Sequence, residues 1–398
     1  MQKGILFFIL LFLLSTLGQI ASDIYLPALP HISQNLQSST HAIQLSIALF
    51  FYGFAGSHLI YGPLSDRFGR KKPLIFGTII CLVGTLVCQF AQDIVIFNSG
   101  RFLQGLGAGA SATIYRSILR DVYQGHALSK TSSYLGIGRI LLLACAPLIG
   151  AYLLHFLSWR ACFFFVVVYG VITLFGLTIF KETNTHQDLP SNKLNFLIKN
   201  ISTLIVHPIF IGCSIIMFLT FAGILAWVTT LPIILQKNLG LSPIAFGWLA
   251  ALVGLFFAVG GVINGIYVNR AGLEKMLKIG IVIMLSAGGL MLIFAGSGII
   301  NVFVIITPII LFILGASIVI PNAYAAAFHP FPQIAGTASA VFGFLQLIGG
   351  AISSMIMSYT KHYNQFPLSI ALIVISLLAL IIAMNMEKIQ MDSYELVI

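Results

Sequence analysis

The sequence predicts an all-α membrane protein, and three observations carry that reading. Hydrophobic residues make up 59% of the chain and the mean hydropathy is +1.04. Asp, Glu, Lys and Arg together supply only 8%, too little to coat a water-facing surface. The apolar residues also fall in long unbroken runs, unlike the ~10-residue alternating segments of a membrane barrel. Only a helix closes its backbone hydrogen bonds within one such run.

A span takes roughly 20 apolar residues. Twelve runs of that kind follow in order: 4–29, 42–62, 73–91, 97–119, 129–154, 160–180, 208–235, 242–267, 276–297, 300–321, 334–359 and 366–386. The opening "MQKGILFFILLFLLSTLGQIAS" also resembles a secretory signal, because Lys3 precedes an apolar run that ends near the small Ala21 and Ser22. Removing it would leave an odd number of spans and put the loop richest in Lys and Arg outside, so it is read as the first span.

Lys and Arg collect in short cytoplasmic loops. With the N-terminus inside, the inner connections hold Arg67, Arg70, Lys71, Lys72, Arg120, Lys130, Lys181, Lys193, Lys199, Arg270, Lys275 and Lys278. The outer ones hold Arg160, Lys237 and Lys361. Both termini are then expected in the cytoplasm of a bacterium whose inner membrane holds the protein, with residues 387–398 as a cytoplasmic tail. The net charge of +10 follows from this topology and from anionic lipid, so the bilayer is a partner and nucleic acid is not. Cys81, Cys88, Cys145, Cys162 and Cys213 lie in spans without CxxC spacing, and the His residues show no HExxH pattern. Neither disulfide, metal nor cofactor is implied.

The chain repeats itself. "GIYVNRAGLEK" at 265–275 aligns with "GPLSDRFGRKK" at 62–72, pairing Gly62 with Gly265, Arg67 with Arg270, Gly69 with Gly272 and Lys72 with Lys275. Leu26-Pro27 pairs with Leu231-Pro232, Gly109-Ala110-Ser111 with Gly315-Ala316-Ser317, and Gly136 with Gly343, at nearly the same offset. Two pseudo-symmetric six-helix halves are expected, 1–180 and 208–386, joined by a polar cytoplasmic linker at 181–207.

The stretch "GPLSDRFGRKK" resembles the signature loop between the second and third helices of the major facilitator superfamily. Three more, "SDIYLPALP" (22–30), "RFLQGLGAG" (101–109) and "APLIG" (146–150), resemble its Bcr/CflA group of proton-coupled drug exporters. The fifth span departs from that group, with Leu142 where an additional Pro is common and with Arg139 in the same helix. The resemblance implies a proton/substrate antiporter working by alternating access. It also implies a latch made of Gly62, Asp66, Arg67, Gly69, Arg70 and Asp121. In that latch Asp66 meets the start of the eleventh helix near Gly336 and Thr337, and Arg70 pairs with Asp121 to close the two halves. The residues themselves say that Gly62 and Gly69 give the turn its freedom and that the bases hold it in the cytoplasm.

Depth suggests the remaining sites. Asp23 lies about six residues before the end of the first span and Arg101 about five after the start of the fourth, at one outer level by helical rise. A charge in hydrocarbon costs at least ~2.5 kcal/mol, so the two are expected to face each other. Asp23 is the only acidic residue well inside any span, which makes it the candidate proton carrier with Arg101 as its modulator. The alternative for the pair is structural. Arg139, near the bilayer midplane, is expected to line the substrate cavity. Tyr25, Tyr52, Trp227, Asn264, Asn322 and Gln346 are further substrate contacts, each equally at home in helix packing. Gly105 and Gly107 imitate a dinucleotide loop but sit in an apolar helix without a preceding strand, so they are read as packing residues.

No catalytic constellation and no P-loop appear, so neither an enzyme nor an ATP-driven pump is expected. The favoured reading is a monomeric proton/substrate antiporter exporting drugs or a small metabolite. The alternatives are a proton-coupled importer of a small organic anion or siderophore, and a transport-inactive membrane sensor.

Overall fold

The computed structural model describes residues 4–184, 193–360 and 364–395. Among them no strand occurs, and the chain is a succession of helices. The first expected span is broken: α1 (Ile5–Asp23) gives way to a 3₁₀ turn (Leu26–Ala28) and a short α2 (Leu29–Asn35). Pro27 and Pro30 stand at the first positions of the turn and of α2, where a missing N–H and a fixed φ end one helix and start another. Asp23 is therefore the last residue of α1, not a residue one and a half turns inside it.

Then come α3 (Thr40–Phe68), α4 (Lys71–Phe90), α5 (Ile94–Val122), α6 (Gly125–Phe156) and α7 (Trp159–Ile179). Ser39 caps α3 by accepting from the Ala42 amide at 3.1 Å, and Asp93 caps α5 by accepting from Val95 and Ile96 at 2.8 Å each. The connection read as a polar linker contains a helix, α8 (Lys193–Val206); its stretch 185–192 lies outside the described residues, as does Lys361. The chain continues with α9 (Pro208–Pro232), which runs on as a π turn to Asn238, then α10 (Pro243–Ala271), α11 (Leu273–Gly296), α12 (Val302–Phe328), α13 (Ala335–Ser358) and α14 (Phe366–Glu395). The last of these carries the helix past 386, into the expected tail.

Eleven helical stretches among the described residues are long and apolar enough to cross a membrane. α5, which fills the fourth expected span, has the length at 29 residues but is not one of them. Its Arg101, Arg116, Arg120 and Asp121 lower its hydropathy.

The helices form two compact units. One holds α1–α7 and the first part of α10, to Gly254; the other holds α8, α9 and its π extension, the rest of α10, and α11–α14. In the first, α5 is the central helix, packed on α3 and α4. Gly105 and Gly107 make that contact possible: a Cβ on Gly105 would enter the carbonyl of Phe50, and one on Gly107 the amide of Cys81. The "QGLGAGAS" glycines thus serve helix packing. In the second unit, Thr229 of α9 and Ser354 of α13 hydrogen-bond at 2.7 Å, and Asn301 caps α12 by accepting from Val304 at 3.0 Å.

Candidate functional site

Arg101 is completely buried. It sits about two turns into α5, and its guanidinium carbon lies 4.1 Å from the centroid of the Tyr25 ring and 4.4 Å from that of Phe50. Its Nη1 donates to the Ala21 carbonyl at 2.9 Å and to Gln104 Oε1. Gln104 in turn donates to Thr85 Oγ1 of α4 at 2.9 Å. Two π faces, a carbonyl and an amide oxygen are thus its direct contacts, and the Asp23 carboxylate is near enough to act on it electrostatically. Among the described residues no ion pair joins Arg101 to Asp23. The half-buried Asp23 accepts instead from Ser22 Oγ at 2.6 Å. The helix ends at Asp23, and the guanidinium reaches the carbonyl two residues earlier. Its Nε and Nη2 are buried without an acceptor.

Tyr25 belongs to this nest rather than to a cavity wall. It is completely buried, and its hydroxyl lies 3.1 Å from Ser46 Oγ of α3. Tyr52 is half-buried on α3.

Arg139 is elsewhere. Near the middle of the 32-residue α6, it donates through Nη1 to the hydroxyl of Tyr115 at 2.8 Å, and the same hydroxyl accepts from Arg116 Nε at 3.2 Å. Tyr115 follows Arg101 on α5 by about 21 Å at 1.5 Å per residue. Arg101 and Arg139 therefore mark separate places.

The 62–72 stretch is a third place. α3 runs through Gly62 to Phe68, so Gly62 is an ordinary helical residue, and the turn is made by Gly69 alone at φ +84°. Arg70 pairs with Asp66 at 2.6 Å and through Nε with Asp121 at 3.0 Å. All three residues lie in the first unit, so the Arg70–Asp121 pair ties the ends of α3, α4 and α5 together instead of bridging two halves. Arg67 is exposed and leans over the Phe68 ring at 5.0 Å.

Glu182, just past α7, completes the cluster, and sequence reasoning passed over it. Its carboxylate accepts from the amides of Arg70 at 2.8 Å and Lys71 at 3.0 Å, at the start of α4, and from those of Thr183 and Asn184 at 3.0 Å each. Burial pushes its pKa up, but these four amides prevail and hold it below the usual carboxylate value. Burial likewise works against the Arg70 charge, and the Asp121 and Asp66 carboxylates outweigh it, raising its pKa. Lys71 Nζ donates to the carbonyls of Thr178 and Phe180 at the end of α7, at 2.9 and 2.7 Å. The sequence signal for Glu182 was present: an isolated acid directly after a span, near a basic helix start.

In the second unit, Asn322 of α12 donates to Asn264 of α10 at 2.6 Å and to the Ile318 carbonyl at 2.7 Å, and both asparagines are buried. They join two helices. Trp227 of α9 and Gln346 of α13 are half-buried, and the indole Nε1 is buried without an acceptor.

The profile of the Major Facilitator Superfamily matches residues 11–354. The chain belongs to this superfamily. Among curated relatives, "Multidrug resistance protein D" of Escherichia coli is 29% identical over 384 residues, covering 95% of this chain and 94% of that one. "Bicyclomycin resistance protein homolog" of Haemophilus influenzae is 29% identical over 385 residues, covering 95% and 96%; the similarity to the Bcr/CflA group rests on it. Of solved structures, a D-xylose-proton symporter shares the fold at a TM-score of 0.78 and 16% identity, covering 96% of each chain. This major facilitator protein is thus a multi-pass membrane transporter and not an enzyme.

Proposed function

We propose that this transporter is a proton/substrate antiporter that exports drugs or a small metabolite across the bacterial inner membrane, as a monomer with both termini in the cytoplasm. Twelve spans in two six-helix halves, 1–180 and 208–386, rock about a midplane site, with 181–207 as the cytoplasmic connection. α5 is the twelfth span: Arg101, the charge deepest in it, is completely buried in protein rather than turned to lipid, and Arg116, Arg120 and Asp121 gather in its last two turns. Trp227, Gln346, Tyr52 and Arg139 line the substrate path. The cluster of Asp66, Arg67, Gly69, Arg70, Asp121 and Glu182 holds the cytoplasmic ends of one half together, with the Asp66 side chain 58% exposed.

One observation carries the reading. Asp23, the only acidic residue well inside the expected spans, ends α1 within electrostatic reach of a completely buried arginine that makes no ion pair among the described residues and has two unsatisfied nitrogens. A carboxylate that gains and loses a proton next to such a cation changes the local charge by one, which is what coupling requires. The drug-resistance names of the relatives support export.

The test is transport of bicyclomycin and a panel of lipophilic drugs in proteoliposomes under an imposed pH gradient. Asp23→Asn keeps the shape and removes the titration; it is expected to abolish uphill transport and to leave downhill exchange within about threefold of wild type. Uphill transport by Asp23→Asn at the wild-type level overturns the proton role.

A further inference from the structure

Tyr115 and Arg139 are short of acceptors. A guanidinium has donors only, so in both contacts, with Arg139 Nη1 at 2.8 Å and Arg116 Nε at 3.2 Å, the phenol oxygen is the acceptor. Both lone pairs of that oxygen are then taken, and its proton has to be given to a third group. Tyr115 itself is only 6% exposed. Arg139 adds to the deficit. Its Nη1 is engaged with the phenol, while its Nε is buried without an acceptor. The edge left over, Nε with Nη2, is the one through which a guanidinium pairs two-pronged with a carboxylate.

Among the described residues no carboxylate pairs with Arg139. Asp66 and Asp121 sit at the ends of α3 and α5 with Arg70, and Asp23 is bonded to Ser22 at the far end of α1. Arg139 does not escape to water along its own helix either, since it sits mid-helix and turns toward α5. Its surroundings are built. Gly138, the preceding residue, is packed so closely on Phe12 of α1 that a Cβ would come within 2.6 Å of the ring, and Leu135 and Tyr115 belong to one apolar cluster with Leu11 and Leu14 of α1. Three helices therefore converge on Arg139, whose Nε is buried without an acceptor, and on a phenol whose oxygen already accepts twice.

We propose that Arg139, Tyr115 and Arg116 form an anion subsite that takes the carboxylate of the transported molecule: Arg139 through its Nε–Nη2 edge, Tyr115 through its hydroxyl proton, Arg116 as the second charge. The substrate class is organic monocarboxylates, with the apolar body of the molecule on the α1 side. The inference rests on the transporter reading and sharpens it. An uncharged amide of the same shape supplies one oxygen acceptor where two are wanted and brings two N–H donors into a donor-rich site.

The experiment is thermal stabilisation and equilibrium binding on the purified full-length protein, using aromatic and aliphatic monocarboxylates (2-naphthoate, benzoate, octanoate), each beside its primary amide. At least one acid is expected to bind tenfold or more tightly than its amide. Arg139→Gln is expected to bring that ratio to within twofold of one, Arg139→Lys to retain at least threefold, and Tyr115→Phe to reduce it by about threefold without weakening the amide. Amides that match all three acids in the wild type overturn the subsite. So does a preference that survives Arg139→Gln. Should Arg139→Gln fail to fold, Arg139→Lys and Tyr115→Phe decide by the same ratio. Transport in proteoliposomes is scored separately: pH-driven drug export without acid preference leaves the antiporter reading standing and sinks the subsite, and acid binding without pH-driven transport does the reverse.

Discussion

At Gly69 and at Gly272 the backbone takes the same unusual step, φ +84° with ψ 170° in the first and 158° in the second, yet only the first turn is knit by charge. Around Gly69 stand Asp66, Arg70, Asp121 and Glu182, joined by two ion pairs and by amide hydrogen bonds. Around Gly272 the aligned positions are Asn269 and Leu273, Arg270 is exposed, and no ion pair occurs among the described residues. The difference separates geometry from chemistry. A glycine alone suffices for the tight passage from one helix to the next, since the second turn makes it without help. The charges at the first turn serve another end: they hold the ends of α3, α4 and α5 and the chain after α7 as one piece.

The sharpest way to break this comparison is to remove a base from each turn. Arg70 is 8% exposed and holds two carboxylates, so Arg70→Ala leaves Asp121 half-buried without its cation and is expected to cost about 3 kcal/mol. Arg270→Ala touches an exposed side chain and is expected to stay within about 0.5 kcal/mol of wild type. Thermal unfolding of the purified protein in detergent measures both. Equal melting temperatures for the two variants would mean that the charge network adds nothing to the first turn.

Much of this contrast was legible in the sequence, and the missing part has a common cause. The spans, the 62–72 and 265–275 repeat and the Gly69 turn follow from apolar runs and glycine spacing, which are local properties. The Arg70–Asp121 contact came only through the family resemblance, because nothing local pairs residues on different helices. Arg101 was found through its depth, and Asp23 lies within its electrostatic reach, but its direct contacts were not found. Charge matching suggests Asp23, whereas the fold offers Tyr25, Phe50, Ala21 and Gln104, and a ring face or a backbone carbonyl leaves no mark in a list of charges. Gln104, three residues after Arg101 on the same helical face, was the readable one. Pro27 and Pro30 were equally plain as helix breakers, and taking them at face value would have ended the first helix at Asp23. Tyr115 went unread because a tyrosine in an apolar helix reads as packing until two arginines are seen to converge on its hydroxyl.

A smaller effect comes from the glycines themselves. Both occupy a region of φ and ψ that side chains rarely enter, at a cost of roughly 1–3 kcal/mol. At Gly272 an added Cβ meets nothing within 4 Å, while at Gly69 it comes within 2.6 Å of the Glu182 carboxylate. Gly272→Ala is therefore expected to cost about 1 kcal/mol and Gly69→Ala about twice that, with the excess abolished in a Glu182→Ala background. If the two glycine substitutions cost the same, the carboxylate moves aside freely and its amide contacts are loose.

The smallest expected effect is the most specific, because it depends on pH and has no counterpart at the second turn. Glu182 takes hydrogen bonds from the amides of Arg70 and Lys71 at the start of α4, where an anion is favoured by the exposed N–H groups of the first turn. Glu182→Gln keeps the length but sets an NH2 against some of those amides, and is expected to cost about 1 kcal/mol near neutral pH. The sign of its pH dependence follows from linkage. The folded pKa of Glu182 lies below its ordinary value of 4.5, so the stabilisation is fully present above 4.5 and disappears as pH falls through the folded value. The gap in melting temperature between wild type and Glu182→Gln should accordingly be constant from pH 7 to about 5 and close progressively below about 4.5. The Arg270→Ala variant, compared with wild type over the same range, should show no such closing. A gap that stays open in acid would mean that Glu182 acts at the turn by its shape and not by its charge, and the contrast between the two turns would then rest on Arg70 and its two aspartates alone.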